Sequence, residues 1–350
     1  MSENSNIEWT DHTFNGWWGC TKVHAGCKNC YAETHDKRFA KGVQSHWGNN
    51  PRRMILGEWG KPAKWNKEAE KAGRRARVFC SSMCDVFEDY NGLVVDQQGN
   101  DAKWSVDGLR RRIFTIIEET PHLEWLLLTK RPENIRPMVP LRWLDNWPDN
   151  VMTGTSPCDQ ATADKCIPEL LKVPGRRFLS CEPLIGPIDL RLSRELLADM
   201  MGKYPFPGLE DEYRTKRHHR IHWVIAGGES GHGARPCQTA WLRSLKRQCE
   251  DAGVPFFCKQ LGATVIDDDH AGAFSSYTQW VNKAQSWIGG TGALCYDAKD
   301  RPCLIGADFK RADQEGAFPV RYFIPVELNH KKGGDPAEWP ADLRVRQFPT

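Results

Sequence analysis

This chain of 350 residues lacks any long apolar run. No stretch approaches the ~18 uninterrupted apolar residues of a membrane-spanning helix, so no membrane partner is expected. The opening residues, MSENSNIEWTDH, carry neither a basic start nor an apolar core, which argues against a secretory leader. The expected compartment is the cytoplasm. No G-x-G-x-x-G follows the first strand-like run, so the dinucleotide fingerprint of an open doubly wound sheet is missing. C-x2-C occurs only at Cys27 and Cys30, which excludes a four-cysteine zinc ribbon. There is no internal repeat and no low-complexity tract. Neither sign of charge dominates: 48 basic against 45 acidic residues leave +3, too little to name a partner.

Hydrophobic residues make up 40% and charged residues 27%, enough to bury a core. Thirteen cysteines is an odd count, so complete internal pairing is impossible, and in a reducing compartment metal or redox chemistry takes precedence. Fifteen tryptophans is a high number, and many stand beside charge.

Short apolar, β-branched and aromatic runs recur at 14–18, 77–81, 124–129, 150–155, 176–181, 221–226 and 255–259. Helical periodicity fills the gaps between them. Leu109, Ile113, Ile116 and Ile117 share a face after an Asp107 cap; Trp241, Leu242, Leu245 and Cys249 do so after Thr239, with Gly253 as the stop. Alternation of this kind predicts a parallel α/β sheet, and strands apolar on both faces favour a partial or full (β/α) barrel. The expected organisation is a partial TIM-like barrel over 1–263, with insertions at about 43–76 and 200–220, and a C-terminal extension over 264–350 packed on it.

Cys20, Cys27 and Cys30, in C-x6-C-x2-C spacing, follow the first strand-like run, and Gly19 and Gly26 suit a tight loop that turns thiolates inward. Three thiolates can hold three irons of a 4Fe-4S cluster and leave the fourth open. A structural zinc site is the alternative, with His24 or His35 as fourth ligand; unrelated buried thiols are a third. The remaining cysteines, among them Cys84, Cys158, Cys181, Cys295 and Cys303, read mostly as small buried hydrophobes. A hydrogen-donating thiol at Cys84 or Cys181 stays open.

The triplet and the strand–helix alternation resemble the radical S-adenosylmethionine superfamily. More closely, IEWTDHTFNGWWGCTKVHAGCKNCYAE (7–33), SSMCDVFED (81–89), LLTKRPEN (127–134), SCEPLIGPIDL (180–190) and WVIAGGESGHGARP (223–236) resemble a phage and prophage family with a three-cysteine motif. The first spacer has six residues where the commonest superfamily motif has three, and the aromatic Tyr31 follows the last cysteine instead of preceding it. The resemblance implies a radical SAM fold, a 4Fe-4S cluster on Cys20, Cys27 and Cys30, and S-adenosyl-L-methionine chelated to the open iron. It also implies an external reductant such as flavodoxin or ferredoxin and a 5′-deoxyadenosyl radical that abstracts a substrate hydrogen. The cofactors carry the difficult chemistry, and the protein supplies orientation and dryness.

In such proteins the region after the second strand holds the methionyl ammonium, which assigns Ser81, Ser82 and Asp85 to the cofactor; the plain alternative is a helix cap. Lys130 and Arg131 end a strand and suit a carboxylate or phosphate, or simply solvate the loop. Glu182 and Glu229 end the fifth and sixth runs, where an unpaired charge facing a barrel mouth is costly unless it has a function. Gly227 and Gly228 would let backbone approach a ligand. Lys259 would bind an anion or neutralise Glu229.

Residues 61–77 hold seven Lys/Arg against two acidic residues, with Trp59 and Trp65 alongside; Arg214, Lys216, Arg217 and Arg220 form a second basic run. Basic side chains with exposed aromatics suit phosphate contact and base stacking, and a solvated helix face is the plain alternative. Enzymes resembling this family in phage thymidine hypermodification convert a nitrogen-linked amino acid on thymine to a carbon-linked one. DNA carrying a modified base is therefore the expected substrate, with RNA or peptide as runner-up. A zinc-stabilised nucleic-acid-binding protein without catalysis is the third reading.

Overall fold

The computed structural model describes residues 3, 5–39, 45–192, 220–267, 294–296, 302–304, 324–326 and 328–349. The basic run at 214–219, most of the 200–220 insertion and much of the C-terminal extension lie outside them, as do the side chains of Cys295 and Cys303.

Seven parallel strands form one curled half-barrel sheet, in sequence order from edge to edge. They are β1 (His12–Phe14), β2 (Ala76–Cys80), β3 (Leu123–Thr129), β4 (Val151–Thr155), β5 (Arg176–Cys181), β6 (Trp223–Gly227) and β7 (Phe256–Gln260). Six of the seven expected runs match to within two residues. The first splits: Trp17–Trp18 leaves the barrel and pairs antiparallel with Arg52–Met54, which pairs in parallel with Val94–Val95. That small sheet stands over the C-terminal ends of the strands.

Helix α1 (Tyr31–Phe39) follows the cysteine loop, and α2 (Lys61–Ala72), α3 (Val106–Glu119), α4 (Gln160–Leu171) and α5 (Thr239–Ala252) lie between the strands. The stretch 43–76, read from sequence as an insertion, therefore contains the crossover α2. Its lysines masked a narrow apolar face of Pro62, Trp65 and Ala69, all buried. Trp59 and Trp65 are core residues too, and Trp65 stacks on His12, so neither is free to stack on a base. Lys64, Lys67 and Lys71 are exposed, and only the stacking half of the expectation for 61–77 falls.

Capping corrects two smaller expectations. Ser105, not Asp107, caps α3, its hydroxyl accepting from the Gly108 amide; Asp107 pairs with Arg110 and Arg111 one turn on. Thr239 is the first residue of α5, while Gly253 does end it, at φ +63.

Side chains alternate across the sheet. Val78, Cys80, Leu127 and Leu179 point outward into the core beneath the helices. Phe79, Leu126, Met152, Phe178, Trp223, Ile225 and Phe257 point inward, with Trp9 from the N-terminal segment among them. Trp9 lies 4.8 Å from Phe79 and 6.2 Å from Trp223, ring centre to ring centre. The half-barrel is therefore filled by an aromatic plug, not hollow. Phe348 closes on Trp223 and Phe257, and backbone bonds from Cys258 to Val345 and from Gln347 to Phe256 cover the β7 edge.

Candidate functional site

At the C-terminal ends of the strands the inward positions turn polar. Ser180 continues the parity of Phe178, Gly227 that of Ile225, and Lys259 that of Phe257. This mouth is where parallel barrels carry their chemistry. The cysteine loop, between Trp17–Trp18 and α1, lies over it.

Cys20, Cys27 and Cys30 are free and half-buried. The loop has one short regular piece, the 3-10 turn Ala25–Cys27, capped by the His24 ring accepting from the Gly26 amide. Cys20 and Cys30 pack on the same apolar group of Ala32, Trp47 and Met83. Burial pushes the Cys20 thiol up to about 12; Asp85 and Glu88 add to this and Arg131 opposes it. The thiol is thus protonated at neutral pH, and a metal binding there would displace the proton. Among the described residues, no three His, Cys, Asp or Glu side chains are gathered tightly enough to hold a metal ion. By donor chemistry the three thiols fit a thiolate-held iron–sulfur cluster: three unpaired sulfurs, half-shielded, at the mouth of a parallel half-barrel. For the zinc alternative, His24 Nε2 and His35 Nδ1 are buried without a hydrogen-bond partner among the described residues. His24 spends its Nδ1 lone pair on Gly26, and His35 packs its ring between Trp18 and Phe39.

A buried charge network braces the start of this loop. The Arg52 guanidinium donates twice to Glu88, at 2.9 and 3.0 Å, and also to the Thr21 hydroxyl. Glu88 accepts the Thr21 amide at 2.6 Å. Arg131 donates to Asp85 at 2.8 Å and to the Thr21 carbonyl at 2.6 Å, with Cys20 Sγ 3.7 Å away. Burial works to lower the Arg131 pKa, but Asp85, Cys20 and Glu88 outweigh it and hold it above its usual value. Arg131 is thus turned into the protein.

Asp85 also accepts from the Thr129 hydroxyl, the Lys130 amide and the Phe87 amide, so both its oxygens are saturated. Its place is a structural knot joining the tops of β2 and β3. Ser82 bonds Asn15 through its hydroxyl and takes the Tyr31 phenol on its carbonyl at 2.7 Å; the Ser81 hydroxyl lies 3.2 Å from Cys80 Sγ. All three residues are buried.

The two mouth carboxylates have separate partners. Lys259 Nζ is 2.9 Å from Glu182, which also accepts from the Ser180 hydroxyl. Lys259 neutralises Glu182, then, and not Glu229 as the sequence suggested. Glu229 is buried and takes Arg235 at 2.6 and 2.9 Å, the Arg235 amide and Asn29 at 2.9 Å. Burial raises the Glu229 pKa, but these bonds outweigh it and hold the carboxyl below the usual range. Gly227 and Gly228 are required by close chain packing: a Cβ on Gly227 would stand 3.1 Å from Glu182 and from the Gln260 carbonyl, and one on Gly228 would strike the Leu261 carbonyl. That closeness is to the protein's own backbone.

Among the described residues, two groups that follow neighbouring strands stand without partners. Ser156 follows β4, and its buried hydroxyl has no hydrogen-bond partner. Lys130 follows β3, the neighbouring strand, where Thr129 pairs with Thr155. Among the described residues its ammonium has no hydrogen bond or ion pair; it helps depress His24 to about 4, behind burial. Sequence reasoning found Lys130 and missed Ser156, Glu88, Arg52, Asn29 and Arg235. Glu88 and Arg235 lie inside phrases that stood out, whereas Arg52 sits in a stretch with no signal. Cys181 belongs to the outer core and faces away from the mouth, which removes it as a hydrogen donor. A groove of about 400 Å³ lined by Trp147, Gly175, Arg176, Arg220 and His222 lies at the opposite rim, where β4, β5 and β6 begin.

The fold and site define an α/β half-barrel protein with a thiol-bearing loop over the C-terminal mouth of its sheet. Residues 4–291 match the profile of a family described as a protein of unknown function, DUF5131, and the chain belongs to that family. No curated protein and no solved structure matches it. Among the described residues, no helix is long and apolar enough to cross a membrane.

Proposed function

We propose that this protein is a radical S-adenosylmethionine enzyme that modifies nucleic acid. In its sharpest form it is an isomerase that converts a nitrogen-linked amino acid on thymine in phage DNA to a carbon-linked one. The observation that carries the reading is three free, half-buried thiols on one loop over the C-terminal mouth of a parallel half-barrel. Cys20, Cys27 and Cys30 would hold the cluster, and cluster and cosubstrate together supply one-electron cleavage of a sulfonium when bound.

The chain's own residues have three tasks. The aromatic plug under the mouth closes the inner face of the sheet and excludes water from below. Lys130 and Ser156, which follow neighbouring strands and have no partner among the described residues, suit the carboxylate of an amino acid adduct, a charge-assisted contact joined to a hydroxyl donor. The Glu182–Lys259 pair supplies a second polar wall whose net charge is zero. The net change is redox-neutral: the bond from the thymine methylene to nitrogen is exchanged for one to the α-carbon. One hydrogen moves from the α-carbon to the nitrogen. A base in duplex DNA would have to be flipped out to reach the mouth.

The test is an anaerobic assay of iron-reconstituted protein with S-adenosylmethionine and dithionite, reading 5′-deoxyadenosine by mass spectrometry. The expected result is product that rises with DNA carrying nitrogen-linked amino acid thymine. Product formed only with peptides would overturn the substrate. Stoichiometric zinc, no iron and no product would overturn the chemistry and leave a binding protein.

A further inference from the structure

We infer that Arg131 and Arg235 are positioning residues that hold the cysteine loop from two sides, each through a buried carboxylate of its own. The consequence for a cluster rests on the function proposed above; the clamps do not. At the first end, Arg131 bridges Asp85 and the Thr21 carbonyl, next to Cys20. At the second, Arg235 bridges Glu229 and the Ala25 carbonyl at 2.9 Å. Asn29, inside the C-x2-C turn, completes the second clamp by donating to Glu229 and to the Gly233 carbonyl, both at 2.9 Å.

The two clamps are unrelated in sequence and built on different strands. Asp85 and Arg131 follow β2 and β3, whereas Glu229 and Arg235 follow β6. The cysteine loop leaves the β1 side of the sheet, so the second clamp spans the mouth toward the far edge of the half-barrel. Apart from Ala25–Cys27 the loop has no regular structure to order it. Ordering a residue costs ~1–2 kcal/mol, and three side chains that must act together need that cost met before they bind anything. A guanidinium suits the task because its fork can grip a carboxylate and a carbonyl at once; an ammonium cannot reproduce that geometry. This also explains why Glu229 is buried at a strand end without facing a ligand.

The experiment is amide hydrogen exchange on the metal-free full-length chain and its variants Arg131→Gln, Arg235→Gln and Asn29→Ala. Iron content after anaerobic reconstitution and the electron paramagnetic resonance signal after reduction with dithionite follow. Arg235→Gln and Asn29→Ala should speed exchange across 25–29 by about tenfold while the thermal midpoint stays near that of the parent. Iron per chain should fall and the signal should broaden or change shape, with partial recovery in Arg235→Lys. Arg131→Gln should loosen 20–22. That variant also strips a counter-ion from Asp85 and Glu88, so if it fails to fold the other two carry the test. Unchanged exchange at 25–29 in both would overturn the clamp. Failure of the parent chain to take up iron would instead overturn the ligand assignment, and the exchange data would still decide the clamp.

Discussion

The inner face of the half-barrel changes character along its strands. Below, Trp9, Phe79, Phe178, Trp223 and Phe257 fill it with rings that need only burial and shape. Above, Ser180, Glu182, Lys259, Asp85 and Glu229 fill the mouth with groups that need particular partners. The plug is held by area, which tolerates some substitution; the mouth is held by hydrogen bonds, where losing one partner strands the other. Apolar packing and polar pairing are thus separated by only a few residues along the same strands.

The largest effect should come from the plug. Trp223→Ala removes the ring that touches Trp9, Phe178, Phe257 and Phe348, and should cost about 3–5 kcal/mol in urea unfolding. A loss below about 1 kcal/mol would mean that the inner face is not packed as described. Next is Glu88→Leu, which leaves Arg52 buried without its carboxylate. It should destabilise by about 3 kcal/mol, so that one mouth residue rivals a plug residue for a different physical reason.

The cysteines should separate the two regions cleanly. Cys20→Ala, Cys27→Ala and Cys30→Ala should each shift stability of the metal-free chain by roughly 1 kcal/mol or less yet abolish iron uptake. Cys249→Ala, in the outer core on α5, should do the reverse, and equal iron loss in both sets would sink the ligand assignment. Acid sensitivity is a smaller effect. Burial depresses His24 in the mouth and His222 at the opposite rim to about 4. Both are neutral in the folded and unfolded chain above 6.5, so their contribution is complete there. As pH falls from 6.5 toward 4 the unfolded chain takes protons first, and stability declines. Glu229, lowered in the folded state, adds a loss in the same direction below 4.5. A urea midpoint that stays flat from pH 6.5 to 4 would contradict the burial of these rings. The smallest effect is expected for Lys71→Ala on the exposed face of α2, within about 0.5 kcal/mol.

Much of the architecture was legible because it is written in period. Apolar runs followed by amphipathic stretches marked the strands and most crossovers, and the position of the cysteines after the first strand marked the mouth. α2 was misread because its basic surface outnumbers the three residues that bury it. Trp59 and Trp65 looked like a stacking platform because adjacency to lysine in sequence says nothing about which way a ring points. Glu229 was offered for Lys259, beside a bound anion, on the same weakness: two carboxylates at neighbouring strand ends cannot be told apart by spacing.

By itself the sequence determined the alternation, the parallel sheet and the identity of the three thiols, since these depend on local pattern and residue type. Only the tertiary structure decided who pairs with whom. It gave Arg131 to Asp85, Arg235 to Glu229 and Lys259 to Glu182, and among the described residues it left Lys130 and Ser156 unpaired. Pairing depends on a few ångströms between residues far apart along the chain, and the relevant distances arise only when the strands curl into a common mouth.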